Sequence, residues 1–173
     1  MGSHGTGKSS GSAYLASLLK RQYPEKSVIV LEENVRKVSR VLEGAMNTPE
    51  FQKLVITDQI VREIEATSLH DIVICDRSTI DPVVYGAVLS EVPSAVYMDL
   101  AIDNMTTYNK IFFVRPDNYQ QAIVNDSFRL MNLNTRNEVD EAFASWLSEH
   151  VQKNISEVRT TDIFTYDYLK ELV

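Results

Sequence analysis

A chain of 173 residues with 24 acidic and 17 basic side chains carries a formal charge of −7, and 44% of its residues are apolar. That balance predicts one soluble globular domain over residues 1–173 with an ample core, and it excludes a collagen, a disulfide scaffold and a wholly disordered chain. The net negative charge argues against a broad nucleic-acid footprint, though one local basic cleft stays compatible with it.

The chain opens Met1-Gly2-Ser3-His4, which looks like a tag remnant until the next residues are read. Gly2-Ser3-His4-Gly5-Thr6-Gly7-Lys8-Ser9 fits G-x-x-x-x-G-K-[ST] at every fixed position. Glycines in this pattern let the backbone wrap until several N–H groups point at one phosphate, and a helix starting near Lys8 adds its positive end. Lys8 is expected to bridge phosphate oxygens, the Ser9 hydroxyl to hold Mg²⁺ and Ser10 to donate to the innermost phosphate. Ser3, His4, Gly5, Thr6 and Gly7 make up the rest of the cradle, with His4 shaping the loop rather than acting in catalysis. The motif implies binding of a nucleoside triphosphate, ATP with Mg²⁺.

Tyr14, Leu15, Leu18 and Leu19 continue at helical spacing, and Val28–Leu31 reads as a buried strand. Val35, Val38, Val41, Leu42 and Met46 form one helical stripe; Phe51, Leu54, Val55, Ile60, Val61 and Ile64 form another, and Thr48-Pro49 separates them. Ile72–Cys75 is a second buried strand, far too short to cross a bilayer. Cys75, the single cysteine, reads as a small hydrophobe in a reducing compartment. With no secretory signal at the start, that compartment is expected to be the cytoplasm. Helices are predicted over Pro82–Leu89 and Pro93–Met105, each with Pro near its first turn, and a strand over Ile111–Val114. Thr135 with Glu138 suggests a capping box for a helix striped by Val139, Phe143, Trp146, Leu147 and Val151. Ile155–Val173 reads as a short strand or turn and a last helix. Apolar strands alternating with helices predict an α/β fold with a parallel sheet. A phosphate loop of this kind normally follows a buried strand, yet only Met1 precedes Gly2 here; a longer natural product is the favoured explanation, and an absent or otherwise supplied strand the alternative.

Ligands of open α/β sheets sit off the carboxyl ends of the strands. Two strands end in an acid followed by arginine: Leu31-Glu32-Glu33-Asn34-Val35-Arg36 and Ile74-Cys75-Asp76-Arg77-Ser78. A carboxylate at such a tip takes a hydroxyl proton or organises a metal-bound water, and a planar arginine grips an anionic or hydroxyl-rich substrate. The unremarkable alternatives are a solvated helix start for Glu32 and Glu33, a surface turn for Asp76-Arg77, an N-cap for Asp81 and plain surface for Gln59. The histidines are scattered, without metal-ligand spacing. The polar segment 125–136 carries Arg129 and Arg136, residue types that close over phosphates in phosphoryl transfer.

In order, the phosphate loop, Glu33-x-x-Arg36, Gln59 and Glu63, Asp76-Arg77-Ser78-x-x-Asp81-x-x-x-Tyr85 and Asp126-x-x-Arg129 resemble the P-loop kinase-like ATPase family. Its members include the nicotinamide riboside kinase domain of NAD-biosynthesis regulators and stand-alone bacteriophage proteins. The pattern is more distantly similar to thymidylate and deoxynucleoside kinases. The resemblance implies a three-layer P-loop NTPase fold of the nucleoside/nucleotide kinase type, with a five-stranded parallel sheet flanked by helices and a small lid over about 116–136. It implies Glu33 as base, Arg36, Gln59 and Arg77 toward the substrate, Asp76 on the metal side and Arg129 in the lid. Ser127 stands where such lids often have glycine, which implies a stiffer hinge. The expected activity is phosphoryl transfer from ATP to a nucleoside or nucleotide, with no membrane partner. The alternatives are transfer to a polynucleotide end or a modified base in DNA, and a regulatory ATPase without an acceptor.

Overall fold

Short runs of β-branched and aromatic residues pair here as parallel strands, and longer amphipathic segments between them coil into helices. The structure, a computed structural model, describes residues 1–41, 48–89, 94–116, 133–151, 154–159 and 161–162. In chain order the elements are α1 (Lys8–Gln22), β1 (Val28–Leu31), α2 (Val35–Val41), α3 (Pro49–Leu69), β2 (Ile72–Cys75), α4 (Asp81–Val88), α5 (Ala95–Met105), β3 (Ile111–Arg115), α6 (Leu133–His150) and β4 (Ile155–Arg159). They fall into two compact units, one of Met1–Gly11 with Asn109–Val173 and one of Ser12–Tyr108. Among the described residues no helix is long and apolar enough to cross a membrane.

In the unit of Ser12–Tyr108, β1 and β2 run parallel with Val28 opposite Ile72 and Leu31 opposite Cys75. An Asp71–Ser27 clasp sets this register. The Asp71 carboxylate accepts from the Ser27 N–H and hydroxyl, each at 2.9 Å, while the Asp71 N–H donates back to the Ser27 hydroxyl at 2.9 Å. At the other end the Asp76 N–H donates to the Leu31 carbonyl at 3.0 Å, so the ladder runs on to the first residue after β2. Helix α3 starts as its sequence dictates: the Thr48 hydroxyl accepts from the Phe51 N–H at 3.2 Å, and Pro49 occupies the first turn. Phe51 and Val55 pack with Val38 of α2 in one apolar cluster.

In the other unit β3 and β4 pair in parallel from Ile111 opposite Ile155 to Arg115 opposite Arg159. The Phe113 and Phe143 rings meet at a tilt of 38° with 6.2 Å between centroids, and Val139 and Leu147 bury the same stripe of α6. Arg115 ties the layers together: its guanidinium donates to Asp140 of α6 at 2.9 and 3.0 Å and reaches Glu157 of β4 at 3.6 Å.

Several expectations need correcting. The five implied strands are four among the described residues, in two separate pairs. Beside β3 the strand position ahead of the loop is held by Met1, whose amino group donates to the Phe112 carbonyl and whose carbonyl accepts from the Val114 N–H, both at 3.0 Å. That is the bonding of a parallel strand one residue long. Val61 and Ile64 are 48% and 61% exposed, because the face that α3 buries runs through Gln52, Val55, Ile56, Gln59, Glu63 and Ala66 instead. Thr135 lies inside α6, which begins at Leu133, so it is not the expected cap. Cys75 is only partly buried. Leu42, Met46 and Pro93, most of the 116–136 segment with Arg129, and the expected last helix lie outside the described residues.

Candidate functional site

The phosphate loop occupies residues 2–7, and α1 begins at Lys8, as its motif predicts. Gly2, Gly5 and Gly7 take φ of 136°, 72° and 78°, values that side chains with a Cβ rarely adopt. At Gly2 a Cβ would also run into the Val114 carbonyl of β3; at Gly5 it would meet open space. The glycines therefore differ: Gly2 is required by close packing, Gly5 and Gly7 by backbone handedness. Ser3 and Thr6 are fully buried, and the Thr6 hydroxyl donates to the Ser3 carbonyl at 3.0 Å. The Lys8 ammonium is turned into the loop, donating to the Ser3 carbonyl and to the Thr6 hydroxyl. His4 is buried within the same turn, whereas Ser9 and Ser10 on the first turn of α1 are exposed. A buried ammonium, left-handed glycines and a helix N-terminus form a donor set that fits a polyphosphate, and the exposed Ser9 hydroxyl fits its cation.

The second cluster belongs to the unit of Ser12–Tyr108 and lies at the carboxyl ends of β1 and β2. Arg77 is its centre. It meets Glu33 at 2.9 Å, Asp81 at 3.1 Å and the Tyr85 hydroxyl at 3.4 Å, and its guanidinium lies 5.4 Å from the Tyr85 ring centroid. Burial works to lower the Arg77 pKa, but Tyr85, Glu33 and Asp81 outweigh it and hold the group well above its ordinary value. Asp81 proves to be no N-cap, a position that Ile80 takes. Its carboxylate turns back to accept from the Ser78 N–H at 2.9 Å and hydroxyl at 2.6 Å, which fixes the turn carrying Arg77. Asp81 is thus committed on several sides, whereas Glu33 meets Arg77 through one oxygen.

Glu33 and Glu32 separate as strand alternation requires. Glu33 faces Arg77; Glu32 is exposed, and its carbonyl accepts from Arg62 at 2.9 Å. Gln59 is 2% exposed and so is not plain surface; it donates to Glu63 at 2.6 Å and to the Arg77 carbonyl at 3.1 Å. Asp76 is buried directly after β2. Arg36 lies on α2, and its side chain is outside what the structure describes. Glu33, Gln59, Arg77 and Asp81 therefore share one cluster, with Asp76 next to Arg77 in the chain. Lys8 and Ser9 belong to the other unit.

Asn104, Tyr108 and Thr79 also enter this network without a sequence signal beyond their residue type. Asn104 donates to Glu63 at 2.7 Å, the Tyr108 hydroxyl donates to Glu63 at 3.0 Å, and the Thr79 N–H donates to Tyr108 at 3.1 Å. Burial, then Glu63, pushes both the Tyr108 hydroxyl and the Cys75 thiol up, so each stays protonated. Among the described residues no group of three His, Cys, Asp or Glu side chains is placed to hold a metal ion.

No curated protein matches this sequence. Among solved structures the chain is similar to deoxyadenosine kinase from M. mycoides, determined with products dCMP and a flexible dCDP bound. The TM-score is 0.66 at 15% identity, over 99% of this chain and 93% of that one. That likeness gives the fold: a P-loop α/β architecture with parallel strands and flanking helices. A family model, that of the AAA domain, matches residues 1–164, from the phosphate loop through β4, and the chain belongs to the AAA domain family.

Proposed function

We propose that this chain is a P-loop phosphotransferase that moves the terminal phosphoryl group of ATP to a nucleoside or nucleotide. The observation that carries the reading is the Glu33–Arg77 pair at 2.9 Å, buttressed by Asp81 and Tyr85 at the carboxyl ends of β1 and β2. A switch that only hydrolyses ATP has no need of a fixed arginine and a carboxylate held for a second substrate. The similar M. mycoides deoxyadenosine kinase, with its bound nucleotides, supports the same direction.

ATP with Mg²⁺ supplies the phosphoryl group and the charge neutralisation that lets it leave. The chain's own residues do the rest. Lys8 and the loop N–H groups bind the polyphosphate, and the Ser9 hydroxyl and Asp76 carboxylate attend its cation. Arg77, planar and permanently charged, orients the acceptor. Glu33, which shares Arg77 with Asp81, accepts the acceptor's hydroxyl proton. Gln59 and Arg36 complete the acceptor side, and Arg129 closes over the phosphates. Nicotinamide riboside, the acceptor of the kinase domains that the sequence resembles, is one nucleoside that this reading includes.

Acceptor-dependent turnover tests this. With ATP and Mg²⁺ present, a nucleoside or nucleoside monophosphate should raise ADP release by about tenfold or more and appear as its phosphorylated product. ADP and free phosphate released at one slow rate, whatever acceptor is added, would establish the regulatory ATPase instead.

A further inference from the structure

Helix α3 buries Gln59 and Glu63 on its inward face, in line with Val55, Ile56 and Ala66; they are 2% and 5% exposed. Glu63 draws donors from its own helix, from α5 and from the segment after α5. Its Oε1 accepts from Gln59 Nε2 at 2.6 Å and from the Tyr108 hydroxyl at 3.0 Å, and its Oε2 accepts from Asn104 Nδ2 at 2.7 Å. The same Gln59 nitrogen donates to the Arg77 carbonyl at 3.1 Å.

A glutamine amide carries two N–H donors on nitrogen and one carbonyl acceptor. Both groups that face the Gln59 nitrogen, a carboxylate and a backbone carbonyl, can only accept. Turned over, the amide would set oxygen against oxygen twice, so its orientation follows from its neighbours. Both donors are then spent inside the protein. What remains is Gln59 Oε1, buried and without a hydrogen-bond partner among the described residues. A buried acceptor left open in this way calls for a donor from outside the chain. It belongs to a side chain bonded to the Arg77 backbone, at the tip of β2.

We propose that Glu63 is a positioning residue that locks the Gln59 amide, so that Gln59 accepts one hydrogen bond from the acceptor's base and donates none. The inference rests on the kinase reading above, which puts the acceptor at the end of β2. The ligand class that follows is a nucleobase presenting an exocyclic amine or a ring N–H at this point. A base whose donor there is removed or methylated leaves Oε1 unpaired and is rejected, because a site built around one polar contact discriminates strongly against its loss. With both N–H groups committed, paired bonding from one freely turning glutamine to both sides of a base edge is not available.

Two readouts test this. The first is exchange of the Gln59 side-chain amide protons by ¹⁵N NMR on the full chain without ligand. They are expected to be protected, to lose protection in Glu63→Leu and to keep it in Glu63→Gln, which retains an acceptor oxygen. The second is the kcat/KM ratio for deoxyadenosine over its analogue lacking the 6-amino group, and for thymidine over its N3-methyl analogue. For whichever parent is phosphorylated, the wild type should favour it by about 100-fold. Glu63→Leu should cut that preference to about tenfold or less, chiefly through KM, and Glu63→Gln should restore it.

Wild-type amide protons that exchange like those of an exposed glutamine overturn the proposal, and that measurement needs no variant to fold. Equal discrimination in wild type and Glu63→Leu overturns it too. Protected protons with no nucleoside phosphorylated by any form would instead bring down the kinase reading; Glu63 would then be structural, and the positioning role would fall with that reading.

Discussion

Arg77 Nη2 lies 2.9 Å from Glu33 Oε1, while Nη1 of the same guanidinium lies 3.1 Å from Asp81 Oδ1. One cation therefore serves two carboxylates of unequal commitment. Asp81 also holds the Ser78 turn, so Glu33 is the carboxylate that can change partner without loosening the backbone. Glu33→Gln should lower kcat by about 10²–10⁴-fold, the usual worth of a positioned base. ATP affinity and melting temperature should hardly move, because Asp81 and Tyr85 keep Arg77 in place. Glu32→Gln, at an exposed position, should stay near wild type. The reverse result for the two glutamates would shift the strand's functional register by one residue.

Arg77→Ala should cost both stability and activity. It leaves Asp81, 3% exposed, as a carboxylate without its cation, a loss of about 3 kcal/mol for buried pairs broken on one side. Chemical denaturation of the variant against Asp81→Asn checks this. Similar losses from both would show that the turn, rather than the charge pair alone, sets the stability.

The loop glycines should separate by mechanism. Gly2→Ala adds a Cβ against the Val114 carbonyl in a backbone conformation that already disfavours it, and should destabilise by about 3 kcal/mol. Gly5→Ala meets open space, so only the left-handed backbone opposes it, at about 1–2 kcal/mol. Equal midpoints in urea for the two variants would mean that the approach of Gly2 to β3 carries no weight.

Cys75 should be inert at neutral pH. Burial and the Glu63 carboxylate hold its thiol far above its ordinary value of 9.0, so the reactive thiolate is absent. Alkylation by iodoacetamide should be slow until the protein unfolds. The sign for stability follows from the same shift. Above pH 9.0 the unfolded thiol loses its proton while the folded one keeps it, so stability falls as pH rises. Tyr108 adds to the fall through its own raised hydroxyl. Cys75→Ala should flatten the onset of this decline, and rapid labelling of the native protein would contradict the burial argument.

Much of this was legible in the residues. The phosphate motif fixes a chemistry so specific that the start of α1 at Lys8 could be read from spacing alone. The strand tips at Glu33 and Asp76-Arg77 were legible because apolar four-residue runs end abruptly in charge. The buried face of α3 was not. Its apolar stripe points to Val61 and Ile64, but the helix turns inward a face where Glu63 finds donors from α5 and from the segment that follows it, partners far away in sequence, and where Gln59 donates to Glu63 and to the Arg77 carbonyl. Hydrophobic periodicity carries no information about such partners. Asp81 misleads in the same way, since an acid just before Pro82 is an ordinary helix start until its carboxylate is seen folded back on Ser78.

The kinase activity proposed for this chain is tested most directly by the fate of the terminal phosphoryl group. ATP labelled there should be incubated with Mg²⁺ and, in turn, with nucleosides, nucleoside monophosphates, nicotinamide riboside and DNA oligomers, using wild type, Lys8→Ala and Glu33→Gln. The expected result is label on a small nucleoside or nucleotide with wild type, and almost none with either variant although both stay folded. Label recovered only as inorganic phosphate, or only on DNA, or transferred undiminished by Lys8→Ala, would contradict it.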